Sequence, residues 1–274
     1  MNKKAPIGIF DSGYGGLTVF QEVQNAMPDY DYIYLGDNAR APYGNRSFDV
    51  VYEFTLEAVK FLFDQGCPLV VLACNTASAK ALRTIQQEDL PKINPSNRVL
   101  GVIRPSTEEI GALSESRHVG VLGTTGTIQS ESYLIELKKF APDIVVSQHA
   151  CPMWVPLIEN EKYDHPAGIQ FIEEDVKMLL AKDSHIDTII LACTHYPVIK
   201  DKIQEIAGKH IKVVSQGPIV ADKLSHYLLS HPEMDVQLSK NGTKTFYSSE
   251  SVSVFNEKAA RFLGYPVAAI HHSF

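Results

Sequence analysis

The chain twice ends a run of interior residues on a cysteine in polar company: "VVLACNTASA" at residues 70–79 and "IILACTHYPV" at residues 189–198. A run such as V-V-L-A or I-I-L-A has no polar alternation, so neither of its faces can meet water. That is the pattern of a parallel strand covered by helices on both sides. Each cysteine stands just past its strand and just before a probable helix start. Open parallel sheets bind ligands at the carboxyl ends of their strands. One structural position is thus used twice, which predicts two α/β halves. If the halves face each other, both thiols look into one cleft.

The rest of the chain follows the same alternation. Short β-branched runs predict strands at 7–10, 31–35, 68–73, 99–103, 118–122, 143–147, 187–192, 211–214, 244–247 and 267–270. Between them lie helical patterns such as "IQFIEEDVKMLLAK", where Ile172, Val176, Leu179 and Leu180 define one buried face. "STEE" at 106–109 reads as a capping box opening another helix. The fold class is α/β: two similar doubly wound parallel-sheet domains facing each other across a cleft. The tail from residue 208 is thin for a core of its own and is expected to pack back onto one half. Residues 1–99 plus 213–274 then form the domain carrying Cys74, and residues 100–212 the domain carrying Cys193.

Composition narrows the function. With 274 residues, 45% of them hydrophobic, the chain can bury one large or two modest cores. No apolar run approaches the ~20 residues of a membrane helix. The apolar stretch of "MNKKAPIGIFDSG" stops at Asp11, too short for a secretion signal, so a cytoplasmic protein is expected. A net charge of −7 without basic runs would repel a phosphate backbone, which argues against nucleic acid. The cysteines Cys67, Cys74, Cys151 and Cys193 show neither CxxC nor zinc-type spacing. Free thiols and no metal are expected.

Each motif has a plain reading beside its chemical one. Cys74 alone is as well explained as a buried cysteine. Asn75 and Thr76, at a helix start whose amides lower thiol pKa, tip it toward function. Cys193 has Thr194 and adds His195, which exchanges protons near neutrality. "FDSGYGG" at 10–16 supplies Asp11 and Ser12 but lacks dinucleotide spacing, and either residue fits a helix cap. "GDNARAPYGNRS" at 36–47 offers Asp37, Arg40, Pro42, Tyr43 and Gly44, though turn chemistry alone explains Pro42 and Gly44. "GTTGT" at 123–127, with Thr124, presents hydroxyls that serve equally as a cap.

Taken in order, "IFDSGYGGLTV", "YLGDNARAPYGNRS", "VVLACNTASA", "VGVLGTTGTIQS", "VPLIE" and "LACTHYPV" strongly resemble the glutamate racemases of the cofactor-independent aspartate/glutamate racemase superfamily. The resemblance covers nearly the whole chain. It implies an isomerase interconverting L- and D-glutamate for peptidoglycan, with no cofactor and no metal. It also implies a first domain completed by the C-terminal segment. By motif, Cys74 and Cys193 become the acid/base pair, Asp11 and His195 their assistants, and Glu159 the support of the histidine. Asp11, Ser12, Pro42, Tyr43, Gly44, Asn75, Thr76, Thr124, Thr194 and His195 match substrate-binding positions. Two departures stand out. Ser215 and Gln216 replace a frequent Asp-Ser pair, and Arg104 replaces an acidic residue before proline.

The chemistry agrees with this on independent grounds. Inverting Cα needs a base on one face and an acid on the other, and thiols can be tuned for both roles. Amides and hydroxyls must offset charge growing on the carboxylate. A decarboxylase of the superfamily needs one cysteine only, and aspartate-specific relatives commonly carry an acidic residue where His195 stands. A dicarboxylate-binding protein and a thiol redox protein remain as readings from other classes. A homodimer is the default expectation for a soluble enzyme of this kind.

Overall fold

The computed structural model describes residues 4–274. Residues 1–3, the start of the stretch read above as too short for a secretion signal, lie outside them. Its strands are β1 (Ile7–Asp11), β2 (Tyr32–Gly36), β3 (Leu69–Leu72), β4 (Arg98–Gly101), β5 (His118–Gly123), β6 (Val145–Ala150), β7 (Thr188–Ala192), β8 (Lys212–Ser215), β9 (Lys244–Ser248) and β10 (Ala269–His271). They form a six-stranded sheet of order β10-β9-β2-β1-β3-β4 and a four-stranded sheet of order β6-β5-β7-β8. The pairings within both are parallel. Helices cover both faces of each sheet, so β1, β2, β3 and β7 are buried along their whole length. The class read from the sequence is the class observed. No described helix is long and apolar enough to cross a membrane.

Register is what builds a site. Phe10 lies opposite Leu35 and Leu72, so the loops after β1, β2 and β3 leave the first sheet at one level. Gly123 likewise lies opposite Ala150 and Ala192, which levels the loops after β5, β6 and β7. Both cysteine motifs therefore start from the rims of their sheets.

Three local expectations are corrected. "STEE" does not open a helix: the helix Ile103–Leu113 begins directly after β4, with Val102 at its N-cap and no side-chain cap. Ser106 instead sits inside it, its hydroxyl donating to the Val102 carbonyl at 2.8 Å, and Pro105 is tolerated because it falls in the first turn. β6 runs to Ala150, past the predicted 147, since an edge strand with half-exposed residues accepts Ser147, Gln148 and His149. The tail serves both sheets rather than one. β8 pairs with β7, and only from the helix Gln216–Ser230 onward does the chain return to the first sheet, where β9 and β10 join. That helix packs on Gly16–Ala26, through Val220, Ala221 and Leu224 in the core around β1.

Candidate active site

The levelled loops close around one cavity lined by Ser12, Pro42, Tyr43, Gly44, Cys74, Asn75, Thr76, Thr124, Glu159, Cys193, Thr194 and His195. Of the catalytic and substrate-binding positions implied by the resemblance, only Asp11 is behind that wall, and of the other residues singled out in the 36–47 loop Asp37 and Arg40 are not in the lining either. Asp11 ends β1 fully buried, its Oδ2 accepting the Gly13 N–H at 2.9 Å and its Oδ1 the Thr194 hydroxyl at 3.4 Å. Neither Asp11 nor Ser12 is the N-cap of the following helix, which begins after Gly15.

On the first half, Cys74 caps the helix Asn75–Lys80 with its own sulfur, which accepts the Ala77 N–H at 3.4 Å. Ser12 Oγ lies 3.3 Å from the same sulfur. On the second half, Cys193 Sγ lies 3.9 Å from His195 Nδ1, and the other ring nitrogen, Nε2, lies 2.9 Å from Glu159 Oε1. Thr76 and Thr124 hydroxyls meet across the halves at 3.0 Å, while Thr124 also caps its own helix through the Thr127 N–H. Thr124 thus caps its helix and also lines the cavity.

The segment 36–47 is a strap over the cavity. Buried Asp37 accepts from the Tyr43 hydroxyl at 2.5 Å and from Arg40 Nε at 2.6 Å, which holds Tyr43 against the site. Gly44 is fastened to the opposite half, its carbonyl accepting the Gly126 N–H at 2.8 Å. A Cβ there would sit 2.9 Å from Thr124 Cβ, so only glycine allows that approach.

Electrostatics separate the two thiols. Burial pushes Cys74 up, the Asp11 carboxylate adds to this, and Ser12 and the Ala77 N–H offset only part, leaving it at about 12. The lowering expected at a helix start is therefore present but outweighed. Asp11 is itself raised by burial, against the pull of His195 and the Gly16 and Gly13 amides. For His195, burial favours the neutral ring, yet the hydrogen bonds to Cys193 and Glu159 overcome it and raise the imidazole to about 10. Burial pushes Glu159 up, but the hydrogen bond from His195 prevails and its carboxyl is held below the usual range. An imidazolium bonded to a carboxylate on one side thus faces a sulfur on the other.

That shift has a measurable sign. A base raised from 6.5 to about 10 on folding adds stability in full below pH 6.5, and loses it as pH climbs toward 10. The Cys74 thiol, raised from 9.0 to about 12, acts in the same direction higher up. The unfolding free energy should fall steadily from about pH 6.5 to about pH 10. In His195→Gln the fall over that range should be shallower, as read from urea unfolding at a series of pH values. Equal slopes would show that His195 is not held as a cation.

Sequence reading missed Cys151, Val155 and Pro156 as cavity walls. Cys151 follows β6 at the levelled rim, its N–H bonded to the Gly123 carbonyl at 2.8 Å. Its strand was read as ending too early, which hid its place. Cys67 is buried away from the cavity, packed with Leu62 and Val70 under the first sheet.

Comparison with known proteins agrees with this geometry. The profile of the Asp/Glu/Hydantoin racemase family matches residues 17–224. A glutamate racemase of Bacillus cereus is 34% identical over 100% of this chain and 98% of its own. Among solved structures, glutamate racemase isoform RacE1 of Bacillus anthracis superposes with a TM-score of 0.89 at 34% identity, covering 98% of both chains. The glutamate racemase of Francisella tularensis, in complex with D-glutamate, gives 0.85 at 31% identity, again over 98% of both chains. With matching parallel sheets, a cavity lined by both strand-end cysteines and full-length relatives that are racemases, the chain belongs to the Asp/Glu/Hydantoin racemase family and is an isomerase of the amino acid racemase kind.

Proposed function

We propose that the protein interconverts L- and D-glutamate with two thiols and no cofactor. The observation that carries the reading is that Cys74 and Cys193, from the rims of two different sheets, line one cavity. A substrate Cα between them has a sulfur on each face. One thiolate takes the proton from Cα, and the opposite thiol returns another from the far side, so configuration inverts. Asp11 favours the protonated form at Cys74, while His195, anchored by Glu159, exchanges a proton with Cys193. Ser12, Asn75, Thr76, Thr124 and Thr194, with the free N–H groups of the helix start at Asn75, receive the substrate's charged ends and offset charge growing on the α-carboxylate. Pro42, Tyr43 and Gly44 close the strap over it.

The cavity holds about 40 Å³, room for only a few waters. An amino acid enters only if the halves part. The division expected from sequence, residues 1–99 with 213–274 against 100–212, shifts by a few residues: we assign residues up to 101 with 216–274 to one half and 102–215 to the other, since β4 belongs to the first sheet and β8 to the second. Because β4 continues to Gly101 and β8 to Ser215, the bending points fall just after those residues. The Glu161–Arg261 ion pair, which joins the two sides, would release on opening. D-Glutamate made this way supplies peptidoglycan synthesis in the cytoplasm, a reducing compartment that suits four free thiols. A homodimer is the assembly we expect.

The test is circular dichroism of purified protein with D-glutamate and with D-aspartate, after dialysis against chelator and treatment with a carbonyl-trapping reagent. D-Glutamate should lose its signal and D-aspartate should keep most of its own. Binding of D-glutamate by calorimetry without loss of optical activity would reduce the protein to a binding module. Activity restored only by a metal or by pyridoxal phosphate would overturn the two-thiol chemistry.

A further inference from the structure

Asn75 lines the cavity, and two side chains from behind the wall, Tyr133 and Gln216, complete a ring of hydrogen bonds with it. Gln216 Nε2 donates to the Tyr133 hydroxyl at 2.7 Å, that hydroxyl donates to Asn75 Oδ1 at 2.7 Å, and Asn75 Nδ2 donates to Gln216 Oε1 at 2.6 Å. All three are buried from bulk solvent, and only Asn75 reaches the cavity, so the groups of the ring satisfy one another.

The direction of the ring is fixed by what surrounds it. Ser106 spends its proton on the Val102 carbonyl and can only accept from Gln216, whose Nε2 lies 2.8 Å from its oxygen. The Val102 carbonyl, a pure acceptor, lies 3.2 Å from the same nitrogen. Gln216 must therefore keep its NH2 on that side and turn its oxygen to Asn75. Tyr133 accepts from Gln216, so its single proton goes to Asn75 Oδ1. Asn75 is left with one Nδ2 proton committed to Gln216 and one uncommitted. The opposite amide orientation would set oxygen against oxygen at Gln216. It would also turn an acceptor toward any anionic group in the cavity.

We infer that Gln216 and Tyr133 are positioning residues, which lock the amide polarity of Asn75 so that its spare N–H serves a carboxylate in the cavity. This rests on the proposed amino acid substrate for the carboxylate, but the ring itself exists without it. The arrangement also accounts for the unusual residue after β8. Gln216 follows Ser215 where the chain leaves the second sheet, and Val102 follows Gly101 where it enters that half. Ser106 ties the two crossings together, its oxygen accepting from Gln216 and its proton going to the Val102 carbonyl, so Asn75 is held from the point about which the halves would bend.

Two measurements test it. In free, 15N-labelled protein the Asn75 side-chain amide is identified by its absence in Asn75→Ala. One of its protons should exchange slowly, and that protection should vanish in both Tyr133→Phe and Gln216→Leu while the backbone spectrum stays folded. For activity, Tyr133→Phe should cost about tenfold in kcat/KM, the scale of one misplaced hydrogen bond. On an Asn75→Ala background the same change should cost under about twofold, because the residue it positions is gone. Unchanged protection, or a tenfold loss that persists on the alanine background, would assign Tyr133 and Gln216 to packing alone. If the wild type left glutamate unchanged, the substrate reading would fall while the exchange result still decided the ring.

Discussion

Cys74→Ser and Cys193→Ser should each cut racemisation by about 10²–10⁴-fold in both directions, and yet part company on an amino acid that carries a leaving group at Cβ. The first result follows because, in the proposed mechanism, every turnover uses both sulfurs, one to take a proton and one to give it. A serine hydroxyl is far too weak an acid to supply a base near neutral pH. The second follows because β-elimination needs only the abstraction. In the proposed reaction, as the family resemblance implies, Cys74 takes the proton of the D enantiomer and Cys193 that of the L enantiomer. Cys74→Ser should therefore still eliminate from the L analogue, and Cys193→Ser from the D analogue. In deuterated water the wild type should put deuterium into product while unreacted substrate stays protiated at early times. The same enantiomer preference in both mutants, or early deuterium in recovered substrate, would rule out thiols on opposite faces.

What made these sulfurs legible was their coupling to strands with no polar alternation. β3 and β7 are buried on both faces, so their sequences could belong only to the interior of a parallel sheet, and the position after each was a ligand-binding rim by topology. All ten strands were located within a few residues, β1, β2, β3 and β7 for the same reason. Legibility failed where an element is not buried on both faces. β6 carries polar residues to Ala150 because it is an edge, and this hid the rim position of Cys151 just past it. It failed again where a local pattern had two uses. "STEE" has capping spacing, but Ser106 is spent on Val102 inside a helix that starts earlier. The ring of Asn75, Tyr133 and Gln216 joins residues far apart in sequence, and no local spacing encodes it. The raised Cys74 thiol was equally hidden, since burial and a neighbouring carboxylate from β1 outweigh a helix start only once the fold sets them together.

Gly15→Ala should lower kcat at least about 10²-fold with the protein still folded, although no substrate atom need touch the new methyl. The backbone at Gly15 is right-handed helical, with φ −57° and ψ −37°, so alanine adopts it without strain. The whole effect is therefore steric. The methyl carbon would fall 2.4 Å from His195 Nδ1 and 2.5 Å from Thr194 Oγ1, distances at which something must move. His195 cannot swing aside cheaply, since Glu159 holds its far nitrogen at 2.9 Å and the Phe262 ring stands edge-on beside it. Thr194 is tied through its carbonyl to the Thr18 hydroxyl at 2.9 Å. The segment 193–195 must then retreat as a unit, carrying Cys193 from its place, and a misplacement near 1 Å costs about 10²-fold. Overpacking of this kind costs about 1–3 kcal/mol of stability, which leaves a folded enzyme to assay. Gly264→Ala supplies the contrast: φ there is +76° with nothing within 4 Å, so it should lose about 1 kcal/mol and keep its turnover. Measured as kcat per folded molecule, with the folded fraction taken from urea unfolding, the two variants should separate stability from chemistry. A Gly15→Ala enzyme with wild-type kcat would mean that the His195–Cys193 contact is not part of the reaction.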